Sequence, residues 1–245
     1  MPFGASRLTS LALPAAVAAG RGVTLTINAD TQVDTSRNKY GTGSILFDGT
    51  GDYISAAPGT DGDFTFPGAF TMEAWFNYDE DTGGASASLM GNKAGGGASS
   101  NFFVLFRNHD TKIQIKIRGW SVGVATGVIT ADTWNHFALV RDASNNVAFF
   151  LNGTRTQSNT GISGDVGQTN QEAIGVGGLA DGQIRFNQGG NGWMDEVRVS
   201  SIARYDPTQS SHTLPSAAFV NDDDTKLLIH GDGADGSTTF TDDDA

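Results

Sequence analysis

The sequence predicts an all-β protein, two antiparallel sheets packed face to face, with no helix longer than one turn. Three observations carry this. Of 245 residues, 33 are Gly and only 17% are charged, a balance that suits many short strands and turns. Brief apolar or alternating runs recur between turn-forming clusters, about a dozen in all. The run Phe70–Tyr78 carries large apolar groups on both faces, as a strand buried in the middle of a sandwich must.

Taken in order, residues 1–22 form an Ala- and Leu-containing arm without acidic groups, and residues 23–245 form the sandwich. In the arm, Phe3, Leu8, Leu11 and Leu13 are the side chains expected to dock on a neighbouring subunit or scaffold. The alternative is a secretory signal, with Arg7 ahead of a weak apolar stretch that Pro14 interrupts. Val23–Ile27 alternates apolar and Thr and reads as a half-buried strand; Asp30–Gly43 reads as a loop.

Ser44–Tyr53 is the most informative stretch. Ile45, Leu46 and Phe47 make a short buried strand, and Asp-Gly-Thr-Gly-Asp turns the chain, because Gly49 and Gly51 accept positive φ. Tyr53 and Ile54 then begin the return strand. Asp48 and Asp52 flank this turn, and two carboxylates beside free backbone carbonyls can cradle a hard cation such as Ca2+.

Pro58–Gly68 and the Gly-rich Thr82–Ser100 read as loops. Strands are expected at Phe102–Phe106 and at Lys112–Ile117, where Ile113, Ile115 and Ile117 point inward. A hairpin joins Trp134–Val140 to Val147–Leu151, and Asn152-Gly153 turns tightly into Thr154–Thr156. Ala173–Gly177 and Trp193–Val199 complete the set. Residues 221–245 form an acidic tail in which Lys226–His230 supplies either a closing strand or the start of a truncated repeat.

Charge and composition exclude several classes. A net charge of −12 opposes binding to nucleic acid phosphates and suits cation binding. No apolar run reaches the length of about 20 residues that a membrane-spanning helix needs. The absence of Cys removes disulfide and thiol chemistry and weakens the case for a eukaryotic extracellular origin.

Five motifs occur in a telling order: Phe47-Asp-Gly-Thr-Gly-Asp-Tyr53, Phe70-Thr-Met-Glu-Ala-Trp-Phe76, Trp134-Asn-His-Phe-Ala-Leu-Val140, Phe150-Leu-Asn-Gly153 and Gly192-Trp-Met-Asp-Glu-Val-Arg-Val199. This order resembles laminin-G-like domains, which have the concanavalin A-like lectin and glucanase fold, a jelly-roll β-sandwich. The resemblance spans roughly Val23–Tyr205. The arm, Asn28–Gly41 and Thr225–Phe240 are in addition similar to stretches of laminin-G-like domains in virion proteins of marine tailed bacteriophages, cyanophages among them.

The resemblance implies a non-enzymatic virion structural protein, a capsid decoration or head-fibre protein displaying a lectin-like sandwich, with a tail or fibre receptor-binding protein or a carbohydrate-binding adhesin as the other reading. It implies a virion location, or an extracellular one, and partners drawn from capsid or tail proteins, from further copies of the chain (a trimer, for example) and from host-surface glycans. It also implies one Ca2+ held by Asp48, Asp52 and Asp195; otherwise the first two only close their turn and Asp195 pairs with an Arg.

Glucanases of this fold place carboxylates at Glu-x-Asp-x-x-Glu spacing along one strand. Here Glu73 stands alone, and Asp195 and Glu196, being adjacent, should face opposite sides. The four His have no paired Ser or Cys nucleophile motif, so no enzyme is expected. For glycan binding, Trp120 with Asn92 and Lys93 of the Gly-rich loop are the candidate residues, while Trp75, Trp134 and Trp193 are expected in the core.

Overall fold

The structure, a computed structural model, describes residues 23–57, 64–79, 86–92, 102–107, 112–118, 120–125, 129–166, 174–177 and 192–243. Its fifteen strands, numbered in chain order, form two antiparallel sheets, and no helix occurs among the described residues. One sheet runs β1 (Thr24–Asn28), β4 (Tyr53–Ala57), β13 (Ile174–Val176), β6 (Ser86–Gly91), β7 (Phe102–Arg107), β8 (Lys112–Ile117), β9 (Trp120–Ala125). The other runs β12 (Thr154–Asn159), β11 (Val147–Leu151), β10 (Asn135–Arg141), β5 (Phe70–Tyr78), β14 (Gly192–Ser200), β3 (Ser44–Phe47), β2 (Gln32–Asp34), with β15 (Thr225–Ile229) also on β14.

The core lies between the sheets. From β5 come Phe70, Met72, Ala74 and Phe76, from β10 and β11 Phe137, Leu139 and Phe149, from β8 Ile113, Ile115 and Ile117, from β14 Met194, Val197 and Val199. Alternation along each strand puts these residues on one face and leaves Thr71, Glu73, Trp75 and Asn77 of β5 on the other. All nine residues of β5 are nevertheless buried, because residues 201–223 cross the outer face as a strap over Thr71 and Glu73, while Arg37 lies on Asn77 and Lys39 and Tyr40 lie on Trp75. Beneath the strap a second, smaller core forms from Ala138, Val140, Ala148 and Phe150 with Ala203 and Tyr205.

Two strands fall where loops were expected, and a third lies beyond the strands foreseen. β2 and β6 lie inside the supposed loops Asp30–Gly43 and Thr82–Ser100, and β9 follows the Arg118 turn. Each has a weak signature; β2 is three residues long with only Val33 buried, and β6 is mostly Gly, Ser and Ala. The strand expected to begin at Val23 runs Thr24–Asn28, and the one expected at Thr154–Thr156 reaches Asn159. The tail supplies a strand of this sandwich: β15 pairs with β14 from Val197 to Ser200, directly beyond the stretch Gly192–Met194 that pairs with β3.

One departure from alternation matters for the site. Between Asp195 and Arg198 a β-bulge interrupts the pairing of β14 with β5, with Glu196 in the left-handed region at φ 54°. The expectation that Asp195 and Glu196 face opposite sides is therefore corrected. Both are buried and both receive donors from segments outside the sheet pairing, Asp195 from Lys39, Tyr40 and Gly231, Glu196 from Phe219 and His230.

Candidate functional site

Three features near the larger sheet bear on function: an acidic turn, a sealed polar hub and an open polar groove. Gly49 (φ 82°) and Gly51 (φ 96°) turn the chain between β3 and β4, and Asp48 and Asp52 sit at its two ends. Asp48 Oδ1 accepts the Thr50 amide at 2.7 Å, and Asp52 Oδ2 accepts the Asp48 amide at 2.6 Å.

A third carboxylate joins them, that of Asp30 from the β1–β2 turn. One oxygen from each lies within 4.8 Å of the others. The pairing of β1 with β4, which sets Asn28 opposite Tyr53, brings the two turns together. Asp52 is buried, and its Oδ1 has no hydrogen-bond donor among the described residues. Burial, with Asp48 and Asp30 adding to it, pushes the Asp52 carboxyl up to about 6. An unsatisfied buried carboxylate oxygen beside two others fits a hard, oxygen-liganded cation; two oxygens on one Ca2+ lie at most about 5.2 Å apart.

Asp195 is not part of this cluster. The register sets Gly192 opposite Phe47 at the mouth of the turn, so Asp195 lies three residues farther along β14, beside Trp75. Its oxygens are occupied by backbone amides: Lys39 (2.9 Å) and Tyr40 (3.1 Å) on Oδ2, Glu196 (2.9 Å) and Gly231 (3.2 Å) on Oδ1. Burial pushes its carboxyl up to about 6 against the pull of these amides. Of the expected Asp48, Asp52 and Asp195, the structure brings only the first two together; the third carboxylate beside them is that of Asp30.

Glu73 is the centre of the hub under the strap. It has no exposed surface, and one oxygen receives Arg198 twice, from Nε at 2.9 Å and Nη2 at 2.6 Å. The other receives the Tyr205 hydroxyl at 2.7 Å and contacts His136 Nε2 at 3.3 Å. Around it, the Arg198 guanidinium lies 3.9 Å from the Phe219 ring, and Tyr205 stacks on His212 at 3.7 Å. Burial opposes ionisation, yet His136, Arg198 and Tyr205 together hold the Glu73 carboxyl down at about 2. The arrangement anchors the strap and leaves no path for a substrate to this carboxylate.

The groove opens at the other end of β5. Ser36, Arg37 and Asn38 from the β2–β3 loop, Asn77 of β5, and Asp132 and Trp134 ahead of β10 line an open depression of about 540 Å3. Arg37 ties the walls together: Nη1 to Asp132 at 2.9 Å and to Asn77 at 3.4 Å, Nη2 to Asp79 at 3.1 Å. Its guanidinium lies 4.0 Å from the Trp193 ring, and Trp193 Nε1 donates to Asp34 Oδ2 at 2.8 Å. Trp134 is only half-buried, so the expectation that it belongs to the core is corrected.

Of the glycan residues expected from sequence, Trp120 and Asn92 lie away from this groove. Trp120 packs partly against the main core through its place on β9, and Asn92 is buried after β6. Lys93 and the arm residues Phe3, Leu8, Leu11 and Leu13 lie outside the described residues.

Residues 48–207 match the family model described as the concanavalin A-like lectin/glucanases superfamily, of the laminin-G type. The chain belongs to this superfamily. No curated protein sequence matches this superfamily member significantly. Among solved structures it is similar to the botulinum neurotoxin serotype D binding domain (TM-score 0.57, 13% identity, 76% of this chain and 44% of that one). It is similar also to the serotype G binding domain (0.55, 12%, 78% and 46%). A third is the binding domain of Paraclostridial Mosquitocidal Protein 1 (0.56, 12%, 76% and 45%). The chain spans less than half the length of each, and at these identities the likeness is one of fold.

Proposed function

We propose that this superfamily member is a non-enzymatic, lectin-like recognition module displayed on the surface of a phage particle, as a capsid decoration or fibre protein. The observation that carries the non-enzymatic part is the state of Glu73. In glucanases of this fold the acid and nucleophile must both reach a bound sugar, about 5 Å apart for retention. Here the one carboxylate on the central strand is sealed beneath the strap and saturated by Arg198, Tyr205 and His136. The sandwich is then a rigid scaffold, and its ligand-facing chemistry belongs to the loops at the rim.

Particle display is supported by the motif resemblance to laminin-G-like domains of tailed-phage virion proteins, and recognition by the lectin-like fold. Asp48 and Asp52, joined by Asp30, hold a Ca2+ that fixes the β1–β2 and β3–β4 turns against each other. The ion supplies neutralising charge to three carboxylates and has no chemical step to perform.

The test uses the full-length chain on an array of cell-surface glycans, with the same glycans assayed for newly formed reducing ends. Binding without cleavage supports recognition; cleavage overturns the non-enzymatic reading. Gold-labelled antibody against the chain, applied to particles whose genome encodes it, should decorate the particle surface. Particles that carry the chain but stay unlabelled on their outer surface would sink the display reading.

A further inference from the structure

We infer that the groove between the β2–β3 loop and the turn before β10 binds a neutral saccharide, with Trp134 as the surface on which the sugar lies. The inference rests on the recognition reading and names the ligand class and the place where it binds. Three properties of the groove lead to it.

Its charge is balanced internally. Arg37 is bridged to Asp132 and Asp79 at 2.9 and 3.1 Å, so the groove offers hydrogen-bonding groups without the uncompensated cation that a sulfate, phosphate or sialic acid carboxylate would need. A neutral ligand rich in hydroxyls meets both donor and acceptor in such a pair. Asp132 is the most accessible of these groups, its side chain 61% exposed, and a carboxylate can accept from two neighbouring hydroxyls at once.

Its aromatic is placed at the wall. A pyranose has an apolar face of C–H groups and a rim of hydroxyls, which is the surface that a partly exposed indole beside amides and a carboxylate complements. Trp134 precedes β10 directly, and Asn135, the first residue of that strand, is pinned by its amide to Thr130 and Thr133 carbonyls at 3.2 and 2.8 Å. Trp134 is thereby held on a fixed turn.

Its walls are held by hydrogen bonds of their own. Asn38 Nδ2 donates to the Gly41 carbonyl at 2.7 Å, the Asp132 amide donates to the Tyr78 carbonyl at 2.9 Å, and Arg37 joins the two sides. A volume of about 540 Å3 lies within the range usual for small-ligand sites, about 300–1,000 Å3, and suits one or two sugar units. Little ordering cost remains to be met on binding.

The experiment measures affinity of the full-length chain for unsubstituted neutral glycans (glucans, mannans and galactans), first on an array and then by titration calorimetry on the best oligosaccharide. Trp134→Ala and Asp132→Asn should each weaken binding by about tenfold or more, Trp134→Phe by less, with thermal midpoints near that of the parent chain. Trp134→Phe keeps the test decisive if the Ala variant misfolds. Parent and variants binding alike would overturn the groove while leaving recognition at another surface intact. No affinity for any neutral glycan, or a preference for sulfated or sialylated ones abolished by salt, would overturn it as well. Cleavage of the bound glycan would strike the non-enzymatic reading and leave the groove standing.

Discussion

Arg198 donates to Glu73 Oε1 through both Nε and Nη2, at 2.9 and 2.6 Å, in a site where Glu73 has no solvent contact. One carboxylate thereby joins β5, β14 and, through Tyr205, the strap of residues 201–223. Removing one member of a buried ionic group strands its partner charge, which costs about 3–5 kcal/mol. Glu73→Ala should lower stability to urea by that order, and Tyr205→Phe by about 1 kcal/mol. A Glu73→Ala protein as stable as the parent would show that the hub contributes little.

Glu73 also sets the acid side of the stability curve. Its carboxyl is held at about 2 against an ordinary 4.5, so its contribution is complete above the ordinary value and is lost as pH falls through about 2. Glu73→Gln should flatten the loss of stability between about pH 4.5 and 2. Parallel curves for the two proteins in that window would assign acid unfolding to other groups.

His230 acts with the opposite sign. Its ring donates through Nδ1 to Glu196 Oε1 at 2.8 Å and faces Asp243 Oδ2 at 3.7 Å, and these contacts raise its pKa above the ordinary 6.5 despite partial burial. The added stability is full below about 6.5 and is lost as pH rises through the folded-state value. Thermal midpoints measured from pH 6 to 8.5 should fall more steeply in the parent than in His230→Gln.

The acidic turn predicts a calcium-dependent midpoint. At free Ca2+ near 100 times its dissociation constant, stabilisation should reach about 2.7 kcal/mol, and chelation should remove it. Asp52→Asn and Asp30→Asn should both blunt the response, whereas Asp195→Asn should destabilise the protein with or without the ion. A calcium shift that survives Asp30→Asn would return the third ligand position to another group.

Gly177 tests the packing of β13 on the larger sheet. It has φ 66°, and a Cβ there would come within 2.1 Å of the Phe47 ring, which is buried in the core. Gly177→Ala should cost about 1–3 kcal/mol, measured by urea unfolding. Gly177→Ala with Phe47→Leu should recover part of it.

The strands that carry the core were legible because their residues announce a face. Ile113, Ile115 and Ile117 alternate with polar residues, and β5 is apolar on both sides, which the strap and the β2–β3 loop over its outer face explain. β9 has its own alternation in Trp120, Val122 and Val124, a signal present and overlooked. β2 and β6 carry too few apolar groups to be told from loop.

The Asp48–Asp52 pair was readable because it is local. Asp30 enters the cluster only through the register of β1 on β4, and Asp195 leaves it only through the register of β14 on β3. The groove is more remote still. Arg37 and Asp132 are 95 residues apart, and nothing in either neighbourhood names the other. A Trp directly after a turn and at the mouth of a strand, as in Asp132-Thr-Trp134, was the one local hint.

The borders of the family match and the borders of the folding unit differ, and Asp195 shows by how much. It lies within the matched residues 48–207, but three of its four amide donors, from Lys39, Tyr40 and Gly231, lie outside them. A fragment trimmed to the match would keep the buried acid, lose most of what satisfies it, and also lose β15 from the flank of β14. What is inherited as a recognisable segment is therefore smaller than what folds, and domain swaps or truncations should be cut outside residues 24 and 243.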